Sequence, residues 1–354
     1  MKRYLLPVAF AAAALLAGCG SDHDGPDPDP DPNPPTPPAA KEWLAKGADI
    51  SWLTEMEAEG VKFRFPSGRK GDCLEILKGT GINAVRLRLW VDPEDSYCSL
   101  PDVLEKCRRA ESLGLDVMLD FHYSDSWADP SQQTVPAKWQ GLDLQQLVAK
   151  VGDYTREACI ALRDAGISPL WVQAGNETGN GMLWPLGKAD TNPDGYVALN
   201  NAAYDAVKSV FPDAKVIVHL QNGQDESLFR WLFDILRTRG GKYDVIGMSL
   251  YPEPDNYIDY LAKTEANIKA CISRYDKDVM LCEVGMGEAY AAQCRAFLDG
   301  CLALADAIPG RRFIGVFYWE PQCYGGWKGY TKGAFTSIGS PGTQMGAFSF
   351  TPRD

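Results

Sequence analysis

From Lys41 onward, the chain alternates short apolar runs with longer amphipathic stretches, separated by Gly or Pro. The short runs have the length and the β-branched and aromatic content of buried strands, and the longer stretches have the apolar spacing of helices. Eight strands are predicted, at 47–51, 84–91, 116–123, 170–177, 215–220, 244–251, 279–283 and 313–320. Six clear helices are predicted, at 102–113, 144–165, 193–209, 228–239, 258–274 and 289–307.

This alternation predicts the fold class. The strands are too apolar to leave one face of a sheet in water, so a parallel sheet covered by helices is required. An open doubly wound sheet needs a glycine-rich phosphate loop after the first strand, and residues 48–51 do not form one. We therefore expect an α/β fold, a single (β/α)8 TIM barrel. After Trp319 the chain is rich in glycine and aromatic residues, so a loop is expected in place of the final helix.

The first 40 residues have a different composition. Residues 1–19 combine a basic start, a short apolar run and Leu-Ala-Gly-Cys, which predicts a lipoprotein signal peptide that ends at a lipidated Cys19. The alternatives are an ordinary signal with an incidental cysteine or a membrane span, for which the apolar run is too short. Residues 20–40 are rich in Asp and Pro and predict a disordered tether to the domain at 41–354.

The acidic residues after Cys19 resemble signals that send some bacterial lipoproteins to the cell surface. We expect a monomer held at the outer membrane by its lipid. The net charge of −12 makes nucleic acid an unsuitable partner, whereas a neutral ligand stays possible. The nine cysteines after Cys19 include no Cys-x-x-Cys pair and are expected to be small buried side chains.

A metal site is not predicted. The three histidines are His23, His122 and His219, and they form no His-x-x-x-His motif or cluster with cysteine. We therefore expect neither a metal nor another cofactor. His219 is either a residue of the cleft wall or a core histidine with its hydrogen bonds satisfied, and the sequence leaves both open.

Polar and aromatic side chains are concentrated at the carboxyl ends of the strands, where a β/α barrel builds its active site. They are Asp49, Arg86, Arg88, Trp90, His122, Asn176, Glu177, His219, Tyr251, Glu283, Trp319 and Glu320. Either glutamate could be a solvated loop residue when taken alone. However, Glu177 ends the fourth strand and Glu283 the seventh, which are nearly opposite in an eight-stranded barrel. Their side chains can therefore reach toward one point.

Paired carboxyl groups across a cleft suit cleavage of a glycosidic bond. One must be protonated to assist the leaving oxygen, and the other must be charged to meet the oxocarbenium-like centre. Arg86 and Tyr251 can hold Glu283 ionised, while the less compensated Glu177 keeps its proton to higher pH.

Other residues at the strand ends suit supporting roles. Asn176 can hydrogen-bond a sugar 2-hydroxyl, and His122 can donate to substrate or to a carboxylate. Several tryptophans follow strands, and aromatic rings suit the apolar faces of sugars, although core packing is the alternative for each. They are Trp90, Trp127, Trp139, Trp184, Trp319 and Trp327.

Seven segments at or near the strand ends have distinctive sequences: Gly-Ala-Asp-Ile-Ser (47–51), the run at 81–93, Asp-Phe-His-Tyr-Ser-Asp-Ser-Trp-Ala-Asp-Pro (120–130), Gly-Asn-Glu (175–177), Leu-Trp-Pro-Leu-Gly (183–187), Ser-Leu-Tyr-Pro (249–252) and Gly-Val-Phe-Tyr-Trp-Glu-Pro (315–321). These segments resemble the signature segments of family 53 glycoside hydrolases, the endo-β-1,4-galactanases. The resemblance extends from about Gly47 to Phe350, which is essentially the whole domain.

The resemblance implies roles for individual residues. Glu177 would be the acid/base and Glu283 the nucleophile of a retaining enzyme acting on β-1,4-galactan, as in the side chains of type I arabinogalactan pectin. The residues expected to bind the substrate around them are Asp49, Arg86, Trp90, His122, Trp127, Asn176, Tyr251 and Trp319. Some bacterial relatives carry an acidic calcium-binding loop after the seventh strand. Here residues 284–289 lead quickly into a helix, so no such ion is expected. The cleft wall is therefore expected to differ from that of those relatives.

Two other functions compete with this interpretation. An enzyme of the same fold and mechanism could act on mannan or glucan, since the two-glutamate chemistry does not distinguish these polymers. A glycan-binding lipoprotein on an inactive barrel would have lost Glu177, Glu283 or the supporting Arg86 or Tyr251, and all four are present.

Overall fold

The computed structural model describes residues 43–352, in which eight strands form a closed parallel barrel. Neighbouring strands pair in chain order, and the eighth pairs with the first. The strands are β1 (Ala45–Asp49), β2 (Ala84–Leu89), β3 (Asp116–Phe121), β4 (Trp171–Ala174), β5 (Lys215–Leu220), β6 (Val245–Leu250), β7 (Asp278–Val284) and β8 (Phe313–Trp319). The predicted TIM barrel is confirmed, and an open sheet is excluded. The predictions of lipidation at Cys19 and of a tether over 20–40 lie outside the described residues.

Helices cover the outside of the barrel. They are α1 (Leu53–Ala58), α2 (Cys73–Gly79), α3 (Leu100–Ser112), α4 (Leu144–Asp164), α5 (Pro193–Val210), α6 (Glu226–Thr238), α7 (Tyr257–Tyr275) and α8 (Ala291–Ala307). The sequence pattern missed α1 and α2, which are shorter than the window of about 11–18 residues over which helical periodicity is recognised. After β8 the described chain forms only 3-10 turns, at Trp327–Gly329 and Thr343–Ser349, so the expected loss of the final helix is confirmed. None of the helices in residues 43–352 is both long enough and apolar enough to cross a membrane.

Local signals define where the helices begin. Asp143 and Gln146 form a capping box at the start of α4, because each side chain accepts a hydrogen bond from the other's backbone N–H. Asn192 caps α5 through Gly195 N, and Pro193 occupies the first turn, where no backbone donor is needed. These caps fix the points at which the loops after β3 and β4 end.

The barrel interior changes from apolar to polar along the strands. Inward side chains in the amino-terminal half form one apolar cluster, made of Ala45, Ala84, Met118, Trp171, Ile217, Val245, Met280, Cys282 and Phe317. Side chains two or four residues apart on a strand point to the same side of the sheet. On five strands, inward positions two or four residues beyond this cluster are polar and buried: Asp49, Arg86, Asp120, Gln173 and His219. The apolar cluster is thus the floor under a buried polar layer. A second, larger apolar cluster lies between strands and helices.

The nine cysteines from Cys73 to Cys323 are all buried and unpaired, as expected for small core side chains. Burial raises the pKa of their thiols, for example that of Cys107 to about 12. These residues therefore contribute to packing as neutral groups.

We expect Gly47→Ala to destabilise the barrel. A Cβ at Gly47 would lie 2.0 Å from the ring of Phe317, its partner on β8, so the interior would be overpacked. The free energy of unfolding should fall by roughly 1–3 kcal/mol, measured by urea denaturation. Gly79→Ala is the matched control, because Gly79 ends α2 with open space around its Cβ position. Equal stability of the two variants would contradict the prediction.

Candidate active site

A pocket of about 530 Å³ opens at the carboxyl end of the barrel. Its wall brings together seven of the residues that the sequence predicted for the site, Glu177, Glu283, His122, Trp127, Asn176, Tyr251 and Trp319. Ala128, Asp129, Tyr330 and Lys332 complete the wall. The two glutamates, from opposite sides of the barrel, therefore face one cavity.

Glu283, at the end of β7, is held by contacts to both carboxylate oxygens. Arg86 Nη2 lies 2.9 Å from Oε1, and the hydroxyl of Tyr251 donates to Oε2 at 2.8 Å. A cation and a hydrogen-bond donor both favour the charged form of a carboxyl group. These two contacts orient Glu283 and favour its anionic form against the effect of burial.

Arg86 joins three buried carboxylates. Besides Glu283, its guanidinium contacts Asp49 Oδ2 at 2.7 Å and Asp120 Oδ2 at 2.9 Å. Asp49 and Arg86 were predicted to bind the substrate, and this is wrong, since both are fully buried beneath the pocket. The inward direction of their strand positions carries them into the barrel, where they position Glu283.

Asn176 is also occupied within the protein. Its Oδ1 accepts from Arg86 Nη2 at 2.9 Å, and its Nδ2 donates to the Ala128 carbonyl at 2.8 Å. The side chain still lines the pocket. The same guanidinium thus orients the residue that precedes Glu177.

The backbone around Glu177 is unusual. Gly175 and Glu177 both have positive φ, of 90° and 45°, and a Cβ at Gly175 would lie 2.6 Å from Thr178. The backbone N–H of Thr178 donates to the His219 carbonyl at 2.8 Å, which holds the turn. A non-glycine residue in the left-handed region is strained, and such strain is concentrated at functional sites. The turn directs Glu177 into the pocket instead of continuing β4.

Burial raises the pKa of both glutamates. The Ser249 hydroxyl and the charge of Arg86 oppose the rise in the pKa of Glu177. The charge of Glu177 adds to the rise in the pKa of Glu283, whereas Arg86 and Tyr251 oppose that rise. Two interacting carboxyl groups titrate as a pair. Only Glu283 contacts both a guanidinium and a phenol, and Glu177 forms no ion pair within the described residues. We therefore place the first negative charge on Glu283 and the retained proton on Glu177.

His122 is a neutral wall residue. Burial lowers its pKa, and its Nδ1 lies 3.1 Å from the backbone N–H of Ala128 and 3.4 Å from Trp90 Nε1. Its Nε2 lies 3.0 Å from Asp120 Oδ2 and donates the imidazole proton. Burial alone would raise the pKa of Asp120, but Arg86 and His122 lower it to about 2. His122 was expected to donate to substrate or to a carboxylate, and in the structure its Nε2 donates to the Asp120 carboxylate.

His219, left undecided by the sequence, is a satisfied buried histidine. Its Nδ1 lies 2.9 Å from Gln173 Nε2 and its Nε2 lies 2.8 Å from Ser249 Oγ. The polar layer thus includes Asp120, Gln173 and Ser249, none of which was selected from the sequence. Asp120 and Gln173 occupy inward positions that pair in register with neighbouring strands, so strict alternation along β3 and β4 would have found them.

The tryptophans divide into separate groups. Trp127 and Trp319 line the pocket, and Trp52 packs edge-on against both, with ring centroids 5.8 and 5.2 Å away. Trp90 lines an adjoining cavity of about 340 Å³ together with Trp127, so its contact with substrate stays a prediction. Trp139 is a buried core residue at the wall of a different cleft, which Trp184 also lines. Trp327 lines neither the catalytic pocket nor the cavity beside Trp90.

Arg88 and Glu320 support the aromatic wall from below. Both are buried, with Arg88 Nη1 3.4 Å from Glu320 Oε1. The Arg88 guanidinium lies 4.3 Å from the ring centre of Trp127 and 5.0 Å from that of Trp90, in cation–π geometry. Arg88 and Glu320 therefore lie at strand ends because they pack beneath the tryptophan rings.

After β7 the chain passes through a 3-10 turn at Glu288–Tyr290 and enters α8. Within residues 43–352, no group of three or more His, Cys, Asp or Glu side chains has the arrangement to hold a metal ion. The expectation that no calcium binds after β7 stays a prediction.

Comparison with known proteins gives relatives over most of this chain. A probable arabinogalactan endo-β-1,4-galactanase A of Neosartorya fischeri is 35% identical over 301 residues, which cover 78% of this chain and 83% of the relative. An arabinogalactan endo-β-1,4-galactanase of Humicola insolens is 31% identical and covers 78% and 89%. Both alignments therefore include most of the barrel.

Solved structures agree with these relatives. A fungal β-1,4-galactanase superposes with a TM-score of 0.81 and 28% identity, over 86% of this chain and 99% of the other. The Ignisphaera aggregans GH53 catalytic domain gives a TM-score of 0.79 and 28% identity, over 89% and 98%. The protein-family model for glycosyl hydrolase family 53 matches residues 45–337 of this chain, from β1 to beyond β8. This protein therefore belongs to glycosyl hydrolase family 53.

Proposed function

We propose that this protein is a retaining endo-β-1,4-galactanase that hydrolyses galactan, including the side chains of type I arabinogalactan pectin. The observation that carries the proposal is the pair of glutamates in one pocket. Glu283 contacts a guanidinium and a phenol, whereas Glu177 is half-buried and forms no ion pair among the described residues. Two carboxyl groups in different environments are what a glycosidase requires.

In the first step, the Glu283 carboxylate attacks the anomeric carbon while the Glu177 carboxyl group protonates the departing oxygen. The glycosidic C–O bond breaks and a covalent glycosyl-enzyme ester forms. In the second step, the Glu177 carboxylate takes a proton from water, whose oxygen attacks the same carbon and releases Glu283. Two inversions give net retention of the β configuration.

Arg86 and Tyr251 act through Glu283, because they keep it charged before attack. The rings of Trp127 and Trp319 offer apolar platforms for the C–H faces of sugar residues. These features do not separate galactan from mannan or glucan. The names of the relatives, which specify arabinogalactan endo-β-1,4-galactanase, favour galactan. The two glutamates and both partners of Glu283 favour an enzyme over a binding protein.

We expect Glu177→Ala and Glu283→Ala each to lower kcat for galactan by at least roughly 10³-fold, because each removes one of the two groups that make or break the bond. Release of reducing ends is the measurement, with mannan and cellulose assayed beside galactan. The unaltered enzyme should act fastest on galactan.

Glu288→Ala is the matched control, since Glu288 is an exposed glutamate that follows β7 outside the pocket. Azide should restore turnover of an activated galactoside to Glu283→Ala and give a product of inverted configuration. Full activity of either active-site variant would refute the assignment, and faster hydrolysis of mannan or cellulose would refute the substrate.

Tyr251→Phe should move the acid limb of the pH profile of kcat/KM to higher pH. The Tyr251 hydroxyl lowers the pKa of Glu283 by donating to its charged form. Without it the pKa of Glu283 rises, so a smaller fraction of the nucleophile is ionised at a given acidic pH. The alkaline limb, which follows loss of the Glu177 proton, should move much less.

The control for this shift is Tyr204→Phe. The Tyr204 hydroxyl donates to the carboxylate of Asp244 at 3.2 Å, and both residues lie outside the pocket. The pH profile of this variant should match that of the unaltered enzyme. An acid limb that stays in place in Tyr251→Phe would contradict the charge assignment at Glu283.

We also propose that the protein is a monomeric lipoprotein of the bacterial outer membrane, with Cys19 lipidated and the barrel facing outward. The support is the Leu-Ala-Gly-Cys box and the acidic, proline-rich stretch after it. In the native host, Cys19→Ala should abolish incorporation of labelled palmitate and move activity out of the membrane fraction. Cys73→Ala, which removes a buried core cysteine, should leave labelling intact. Labelling of Cys19→Ala would contradict this proposal.

A further inference from the structure

His219, on β5, contacts each residue of the turn that carries Glu177 into the pocket. Its carbonyl accepts from the backbone N–H of Thr178 at 2.8 Å, and its Nδ1 lies 3.4 Å from the backbone N–H of Glu177. The same Nδ1 lies 3.1 Å from Asn176 Oδ1. Glu177 has a positive φ of 45°, and a strained turn persists only when the surrounding structure holds it. His219 therefore supports the backbone of the proposed acid/base.

The surroundings of Nδ1 determine where the imidazole proton lies. The Gln173 amide has a fixed orientation, because its Oε1 accepts from Arg86 Nε and its Nε2 donates to Asp120 Oδ1, both at 2.9 Å. The second N–H of that Nε2 faces His219 Nδ1 at 2.9 Å, so Nδ1 is the acceptor. The nearby Asn176 Oδ1 receives an N–H from Arg86 Nη2 instead. Burial lowers the pKa of His219 well below its ordinary value, so the ring is neutral and its single proton lies on Nε2.

This tautomer fixes the direction of the hydrogen bonds at Ser249. His219 Nε2 lies 2.8 Å from Ser249 Oγ and donates to it. A serine hydroxyl has one proton besides its acceptor lone pairs, so the Ser249 proton points at another acceptor. The Glu177 carboxyl group is that acceptor, and this interaction favours its charged form. Ser249 is 1% exposed and does not line the pocket, so it acts on a substrate only through Glu177.

A donor at one carboxyl oxygen of Glu177 leaves the other oxygen for the substrate. The oxygen that accepts from Ser249 is the less favourable one to protonate, so the proton lies on the oxygen that faces the pocket. Resting on the proposed function, we infer that His219 and Ser249 are positioning residues that aim the Glu177 proton at the departing oxygen. In the second step the same hydroxyl holds the Glu177 carboxylate toward the incoming water.

Charged and titratable groups from several elements surround Glu177. They are Arg86 on β2, Asp120 on β3, His122 and Asp129 after β3, His219 on β5, Tyr251 after β6, Glu283 on β7 and Lys332 after β8. Burial is the main cause of the raised pKa of Glu177, which Arg86 lowers and which Asp129 and Asp120 raise further. Ser249→Ala leaves all these groups in place, so it tests the hydroxyl alone.

Ser249→Ala should move the alkaline limb of the pH profile of kcat/KM to higher pH, because loss of the donor raises the pKa of Glu177. The acid limb, which follows Glu283, should stay in place. The value of kcat/KM for galactan should fall about tenfold, because the proton is no longer aimed at the departing oxygen. For dinitrophenyl galactobioside it should stay within about twofold, because dinitrophenolate departs without a proton.

Ser340→Ala is the matched control. It removes the hydroxyl of another buried serine, which lies outside the pocket, and it should change neither the pH profile nor the two rates. The tautomer is measured on the unaltered enzyme by nitrogen NMR of isotope-labelled histidine. Ser249→Ala identifies the signal of His219, because it removes the acceptor at Nε2. A protonated Nε2 and an unprotonated Nδ1 are expected.

The measurements separate the possible outcomes. An unprotonated Nε2 in His219 would overturn the inference, because the Ser249 hydroxyl would then donate to the ring. An alkaline limb that stays in place in Ser249→Ala, or equal losses on both substrates, would also overturn it and leave the proposed function in place. Inactivity of the unaltered enzyme on galactan would overturn the proposed function, on which the NMR measurement does not depend.

Discussion

The contact on which the active site depends is that of one buried guanidinium with three carboxylates. Arg86, on β2, reaches Asp49 on β1, Asp120 on β3 and Glu283 on β7, all at 2.7–2.9 Å. Charges removed from water are tolerated only when paired and hydrogen-bonded, and removal of one partner typically costs about 3–5 kcal/mol. The cluster therefore links the geometry of four strands to the position of Glu283, and a change in any member also changes the electrostatic environment of Glu283.

The closed barrel makes this cluster possible. Alternation along each strand sends every second side chain inward, and the apolar cluster under the polar layer keeps water out from below. Glu283 then has a guanidinium and a phenol as partners, while Glu177, opposite, enters the pocket from a strained turn with no ion pair in the described structure. The barrel therefore gives the two carboxyl groups different surroundings.

Individual residues show how far the sequence could predict this site. Glu177 and Glu283 were found because a carboxylate that directly follows an apolar strand is visible in the pattern, and both line the pocket. Asp49 and Arg86 were placed at the correct edge, but their burial was missed, since a strand pattern does not say how deep a residue lies. Ser249, Tyr330 and Trp52 were missed because the residues beside which each lies in the site are distant along the chain.

The sequence alone determined the fold class, the order of the eight units, the absence of a final helix and the presence of two glutamates at the same edge of the barrel. These features depend on local periodicity and on chain order, which are properties of a linear pattern. Only the tertiary structure decided which side chains line the pocket and which lie beneath it. Those properties depend on burial and on distances between strands, and no local pattern contains them.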